Sequence, residues 1–277
     1  MTSNNCVHKY LTVCKTNPQP PGFGDFLRGT IALFNFSKKY NFNLLIDYNH
    51  PIFQFLEPIH KNNYHYISTD VIELLPPLSY DQIYNYSEQL FINGASFIIM
   101  TNSFYTKDDN NNLINYGKIT EECREFLIHN ILTPSKLIED KIEYLFNNVY
   151  KLNPKQAYRI VQLRMGDIFI HKNIFDDNKY NFFYDKVKNI VSSSDMPVIL
   201  ISDSAIISKK LKENIEGLYY WDNLKIHLGD LQNNSPDSIL ETLIDYFIMS
   251  RSKEIISNGS GFSTSVSDIF GIKYIYF

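Results

Sequence analysis

The 277-residue sequence predicts an α/β protein built from two consecutive strand–helix series. Three observations carry that expectation. Short apolar runs rich in β-branched and aromatic residues alternate with segments whose apolar residues recur every three or four positions. Strands separated by helices imply parallel sheets. A polar stretch, Lys151 to Gln156 (KLNPKQ), interrupts the alternation and divides the chain into candidate α/β domains over 1–150 and 151–277, facing each other across a cleft.

In chain order, YLTVCKT reads as a first strand, broken by the turn PQPPGFG. From Asp25 to Tyr40, Leu27, Ile31 and Phe34 fall at helical spacing, with Asp25 placed as N-cap. FNLLIDY and SFIIMTN follow as strands, and Thr106 to Gly117 reads as a surface loop from its Asp, Asn and Gly content. Two helices precede the linker. One runs from Thr120 to Leu132; in the other Thr133 caps, Pro134 opens, and Leu137, Ile138, Ile142, Leu145 and Val149 face inward. After the linker come strand Ala157–Leu163, a helix over Tyr180–Val191, strand PVILIS, helix Ala205–Asn214 and a short strand in LYYW. A long amphipathic helix starts at Ser235 as cap with Pro236 in its first turn, and strands KEIISN and KYIYF flank a helix over Phe262–Phe270.

Composition excludes several classes of function. A formal net charge of −4 gives no electrostatic case for nucleic acid or an anionic membrane surface. Cys6, Cys14 and Cys123 are too few and too scattered for a disulfide framework or a zinc site. No segment approaches the ~20 apolar residues of a membrane helix, and the start of the sequence lacks the pattern of a signal peptide. A cytoplasmic protein is expected. The richness in Asn, Ile and Lys matches AT-rich codons and carries no functional weight. His50, His60 and His65 form no spaced metal motif, and Cys123 lies in a helical pattern that suits a core role.

Three stretches carry polar groups to places where chemistry can occur. In PGFGD, Gly22, Phe23 and Gly24 precede a helix, where bare backbone amides could approach a ligand or simply turn the chain into the helix. In VQLRMGD, Arg164 leaves a buried strand; its planar donor fork suits phosphate, and the alternative is a pair with Asp167 across the turn. In SNGSGFSTSV, glycines and hydroxyls lead from a strand into a helix, so that Ser260, Ser263, Thr264 and Ser265 could form an anion nest or serve as ordinary caps. Asp203 ends another apolar strand, where it could accept from a guanine or a ribose hydroxyl, or cap the next helix.

The order of these stretches resembles the fucosyltransferase superfamily that includes α-1,2-, α-1,6- and protein O-fucosyltransferases. PGFGDFLRGTIALFNFSKKYNFNLLIDY resembles its amino-terminal G-x-G-N/D segment, VQLRMGD its H-x-R-R-G-D motif, and DYFIMSRSKEIISNGSGFSTSV its closing motif. The resemblance implies a GT-B fold of two Rossmann-like domains enclosing a cleft, the carboxyl-terminal one binding GDP-fucose without metal or other cofactor. Arg164 then falls on the motif arginine that binds the donor diphosphate, Ser263, Thr264 and Ser265 on the phosphate loop, and Asp203 on an aspartate holding the nucleotide. Gln162, Asp167, Ser260 and Phe262 complete the expected donor site. Gln162 stands where the family has histidine and Met165 where it has a second arginine.

The activity so implied is an inverting transfer of a sugar from a nucleotide donor to a hydroxyl of a glycan or other glycoconjugate acceptor. Arg164 would stabilise the leaving diphosphate and Asp25 would serve as general base, with His171 a further candidate and Asp167 ordering the turn. A nucleotide-sugar-binding module without activity and a transferase for another nucleotide sugar are the alternatives.

Overall fold

The computed structural model describes residues 5–8, 22–40, 43–46, 48, 51–59, 70–73, 97–100, 105–107, 113–115, 118–166, 175–223 and 235–277. The strand expected at YLTVCKT, residues 10–16, and the expectations for Asp167 and His171 lie outside these residues. The chain divides into two compact units, residues 1–53 with 58–133, and residues 54–57 with 134–277. The helical segment ahead of the 151–156 linker therefore groups with the second unit.

The first unit contains strand β1 (Asn5–His8) paired in parallel with β2 (Asn43–Ile46), joined through helix α1 (Phe23–Tyr40). Strands β3 (Asp70–Glu73) and β4 (Phe97–Met100) form a second parallel pair. The segment expected as a loop contains strands, since β5 (Tyr105–Lys107) pairs antiparallel with β6 (Leu113–Asn115). Helix α2 (Glu121–Asn130) is capped by Thr120, whose hydroxyl accepts from the Cys123 amide. Cys123 is fully buried, and burial, with Glu122 adding to it, pushes its thiol up to about 12.

Helix α1 starts ahead of the expected cap. The Phe26 amide donates to the Gly22 carbonyl at 3.0 Å, so Gly22 holds the cap position and Asp25 lies within the first turn. Phe23 is buried and its ring stacks on Phe26, so the apolar residue ahead of Asp25 is already part of the packed helix.

The second unit opens with helix α3 (Lys136–Tyr144), which runs into a π-helical turn over Leu145–Tyr150. Pro134 does not open this helix; it bridges to Leu56, and the Ser135 amide donates to the Phe55 carbonyl, which holds the chain extended until Lys136. Ile138, Ile142, Leu145, Phe146 and Tyr150 are buried, whereas Leu137 and Val149 are exposed. A π turn spans more residues than an α turn and shifts the buried face forward, from Val149 to Tyr150. Lys151 ends it at φ 55 in the left-handed region.

A five-stranded parallel sheet forms the body of this unit. Its strands are β7 (Arg159–Leu163), β8 (Val198–Ser202), β9 (Leu218–Tyr219), β10 (Glu254–Ser257) and β11 (Lys273–Tyr276), in spatial order β11-β10-β7-β8-β9. Helices α4 (Asp177–Ser192) and α5 (Ala205–Asn214) connect the first three strands, α6 (Pro236–Ser250) crosses back, and α7 (Gly261–Phe270) joins the last two. Relabelled by order of appearance, the sheet reads 3-2-1-4-5, the doubly wound arrangement. Right-handed crossovers then send α4 and α5 to one face and α6 and α7 to the other. The core on the first face joins Val161, Leu163, Met165, Phe183, Val187, Leu200 and Leu211.

Candidate functional site

A doubly wound sheet has one place where its connections part, and there the two neighbouring strands leave a crevice at their carboxyl ends. Here that switch point lies between β7 and β10, which run in register with Gln162 opposite Ser257. The residues leaving these strands are Arg164 and Asn258, one step beyond Leu163 and Ser257. They bind each other twice: the Arg164 amide donates to Asn258 Oδ1 at 2.7 Å, and Asn258 Nδ2 donates to the Arg164 carbonyl at 2.8 Å. Asn258 thereby closes the sheet's last rung with its side chain, and the Arg164 turn becomes part of the framework.

Asp203, at the end of β8, fixes the turn from the other side. Its Oδ2 accepts from an Arg164 terminal nitrogen at 2.5 Å and from the Gly166 amide at 3.1 Å, while Oδ1 accepts from the Met165 amide at 2.7 Å. Gly166 has φ 110, a conformation that glycine adopts without strain. Helix α5 is capped by Ser204, so Asp203 is not that helix's cap. A carboxylate offers about four lone-pair sites. These three bonds make Asp203 the ordering residue of the turn, a role the sequence suggested for Asp167, and leave little of it for a nucleotide. Arg164 keeps 30% of its side chain exposed, against 11% for Asp203. It is the guanidinium, and not its partner, that faces outward.

Beneath the crevice sits a buried polar knot. Gln162 is 4% exposed, and its side-chain oxygen accepts from Ser257 Oγ at 2.6 Å and Ser263 Oγ at 3.1 Å. Ser257 Oγ in turn accepts from the Gly259 amide at 3.1 Å. Two expectations are corrected here. Ser263 and Ser265 are fully buried, with Ser265 Oγ donating to the Phe262 carbonyl, so their hydroxyls turn inward. Gln162 likewise ties strands to helix below the opening. The helix face that packs on the sheet decides which hydroxyls are spent internally.

Ser260, Gly261, Phe262 and Thr264 remain partly exposed at the start of α7. Ser260 caps the helix, accepting from the Phe262 amide at 3.2 Å, and the first intrahelical bond is made by the Thr264 amide to the Ser260 carbonyl at 2.9 Å. The amides of Gly261 and Ser263 therefore precede Thr264, the first intrahelical donor, and the helix dipole adds partial positive charge there. Gly259, at φ 96, packs against Tyr276: a Cβ built on it would lie 3.0 Å from the ring.

The crevice thus gathers Arg164, Asp203, Ser260, Phe262 and Thr264 within the second unit. Gly22, Phe23, Gly24 and Asp25 belong to the first unit, where they form the start of α1. Asn258 and Ser257 were not singled out in the sequence, although Asn258 holds the same strand-exit position as Arg164. The aspartate that opens the closing-motif stretch DYFIMS is a buried carboxylate. Asp245, in the middle of α6, is 5% exposed and accepts from Trp221 Nε1 at 2.9 Å and Asn223 Nδ2 at 3.0 Å, pinning the segment that follows β9. Among the described residues no three His, Cys, Asp or Glu side chains gather as a metal-ligand set, and no helix is long and apolar enough to cross a membrane.

Fold and site together define a doubly wound α/β unit with an anchored arginine–aspartate pair and a helix start at its switch point. Solved proteins that share the fold include fucosyltransferases. NodZ α-1,6-fucosyltransferase soaked with GDP-fucose superposes with a TM-score of 0.59 at 13% identity, covering 96% of this chain and 93% of its own; NodZ from Bradyrhizobium in selenomethionine form gives 0.58 at 14%, covering 96% and 92%. A mutant of Arabidopsis thaliana FUT1 in complex with GDP gives 0.54 at 10% identity over 98% of this chain and 69% of its own. POFUT1 in complex with GDP gives 0.52 at 10% over 99% of each chain. No protein-family model and no curated protein sequence matches the chain. The α/β, GT-B-like fold expected from the sequence is the fold it has.

Proposed function

We propose that the second unit binds a nucleoside diphosphate sugar, GDP-fucose by preference, and that the protein transfers the sugar to a hydroxyl of a glycan or other glycoconjugate. The observation that carries this reading is the placement of Arg164: the sequence's one strand-exit arginine stands at the switch point, anchored through its backbone by Asn258 and through its side chain by Asp203. The shared fold with proteins solved with GDP and GDP-fucose supports the choice of donor.

In the transfer, an acceptor oxygen attacks the anomeric carbon from the face opposite the diphosphate. The new carbon–oxygen bond forms as the bond to the β-phosphate oxygen breaks, the configuration inverts, and the hydroxyl proton passes to a base or to the departing phosphate. Negative charge grows on the leaving oxygens. Arg164 and the amides at the start of α7 are held in place before reaction, so they stabilise that charge more in the transition state than in the ground state. Ser260 and Thr264 add hydroxyls at the same helix end. Asp25 is the candidate base, and the transfer uses no metal ion.

Calorimetry with GDP and UDP on wild type and Arg164→Ala tests this. We expect guanine-selective binding that weakens by about a hundredfold in the variant, since a charged hydrogen-bond partner is lost and Asp203 is left facing the phosphates. Equal affinities in the two proteins, or no nucleotide binding by wild type, would overturn the reading. A binding module without activity is favoured by one observation, the burial of both Gln162 and Met165, which takes the motif's other two side chains out of the opening. Release of fucose from GDP-fucose, dependent on Arg164, separates the two.

A further inference from the structure

Asn258 is followed by a glycine, and the fold requires both residues. Asparagine is needed because its carboxamide serves the N–H and the C=O of Arg164 together, Oδ1 accepting at 2.7 Å and Nδ2 donating at 2.8 Å. Glycine is needed because φ is 96 and a Cβ would meet the Tyr276 ring at 3.0 Å. The pair has a reactivity of its own. In an unconstrained chain the backbone nitrogen that follows an asparagine can attack the side-chain carbonyl carbon, and glycine, with no Cβ to obstruct the approach, permits this most readily.

In that step the Gly259 nitrogen gives up its proton and bonds to Asn258 Cγ, while the bond from Cγ to Nδ2 breaks and Nδ2 leaves as ammonia after taking up a proton. Water then opens the cyclic imide at either of its two carbonyl carbons. One opening leaves aspartate in an unaltered backbone; the other leaves isoaspartate, whose chain runs through Cγ and is longer by one carbon.

The folded switch point restrains both reacting groups. The carboxamide is held at its oxygen and at its nitrogen by Arg164, so it turns only when both bonds break. The Gly259 amide donates to Ser257 Oγ at 3.1 Å, and Ser257 Oγ donates onward to the buried Gln162 oxygen, which also accepts from Ser263. The attacking nitrogen is thus tied by its proton to a buried polar network. Reaction has to wait for local opening, and its rate follows the population of the open form.

We propose that Asn258–Gly259 is a latent deamidation site, protected by the folded switch point, and that its conversion to aspartate or isoaspartate switches off donor binding. The second half rests on the nucleoside diphosphate reading above; the first does not. Aspartate has no N–H for the Arg164 carbonyl, so oxygen is set against oxygen, and it adds negative charge beside the groups proposed to hold a diphosphate. Isoaspartate lengthens the connection between β10 and α7 and displaces the Ser260 helix start relative to Arg164.

Peptide mapping by mass spectrometry, during incubation at mildly alkaline pH, follows ammonia loss in the folded protein and in protein unfolded by urea. Asn93–Gly94, the other such pair in the sequence, is the internal standard in urea. The two pairs should react at like rates in urea, and Asn258 should react about tenfold or more slowly in the folded protein. Equal rates at Asn258 in the folded and unfolded protein overturn the protection. Ion exchange separates the aged wild type by its added charge, so GDP affinity is read by calorimetry both on that fraction and on Asn258→Asp. Each should bind GDP about tenfold or more weakly than fresh wild type. Affinity within twofold in both overturns the switch while leaving the donor reading intact. Absence of GDP binding by fresh wild type removes the donor reading and the switch with it, and the comparison of rates still decides the protection.

Discussion

At the scale of single residues, the site depends on one amide side chain. Asn258 satisfies both the N–H and the C=O of Arg164, two backbone groups beyond the last rung of the sheet. Asn258→Ala leaves both without their partner, which costs about 1–3 kcal/mol where the groups are shielded from water. Urea unfolding should show a loss in that range, and calorimetry a weaker grip on GDP because the Arg164 turn loses its anchor. Stability within 0.5 kcal/mol of wild type would mean that water replaces Asn258 at little cost. The contrast with Arg164 explains what the sequence discloses. Arginine after an apolar strand is conspicuous because its charge has no place in a core, so Arg164 was legible. Asparagine in the same position is unremarkable until the strand order brings it beside the arginine. The directions of the Ser263 and Ser265 hydroxyls were equally hidden, since the sequence gives the helix but not the side of it that meets the sheet.

At the scale of elements, the amino ends of the central strands are tied by charge while their carboxyl ends carry the site. Glu254, at the start of β10, is buried and pairs with Arg159 on β7 and Lys273 on β11, so one carboxylate spans three strands. Its desolvation is the largest single influence and raises the pKa. The combined pull of Lys273 and Arg159 outweighs it and holds the carboxyl below its ordinary value. A carboxyl whose folded pKa lies below its unfolded one adds stability that is present above the unfolded value of about 4.3 and is lost as pH falls through the folded value. Glu254→Gln should therefore unfold more easily than wild type at neutral pH, and its stability should fall less steeply below pH ~4. Parallel acid limbs in urea titrations would refute this clamp. Strands and helices of this unit were largely legible because each is short, apolar and flanked by turn residues, as β8 and α5 illustrate. The helix start at Lys136 was not. It is set by the bridge of Pro134 to Leu56, a contact across nearly eighty residues of sequence that no local pattern encodes. The shift from Val149 to Tyr150 has a different cause, the π turn, which a period of 3.6 cannot represent.

At the scale of the whole molecule, every described group at the switch point, from Arg164 and Asp203 to Ser260, belongs to the second unit. The chain's formal net charge of −4 opposes an anionic ligand at long range, so affinity has to come from these local groups. That separation yields a test of how the binding task is distributed. A chain beginning at Pro134 retains all five strands of the doubly wound sheet, the helices around it and the π turn, but loses residues 54–57, whose Leu56 is buried against this unit's opening segment. Losing a buried leucine and its bridge costs about 2–5 kcal/mol, by analogy with deleting that side chain from a core. The fragment should fold with lowered stability and still bind GDP within about tenfold of the full chain, while transferring no sugar, because Asp25 and the rest of the first unit are gone. Stability is read by urea unfolding, affinity by calorimetry and transfer by release of GDP from GDP-fucose. Adding the isolated peptide over residues 51–59 should recover part of the stability without restoring transfer. A folded fragment that binds no GDP would mean that nucleotide binding needs groups of the first unit, and would favour Gly22, Phe23 and Gly24 as donor contacts.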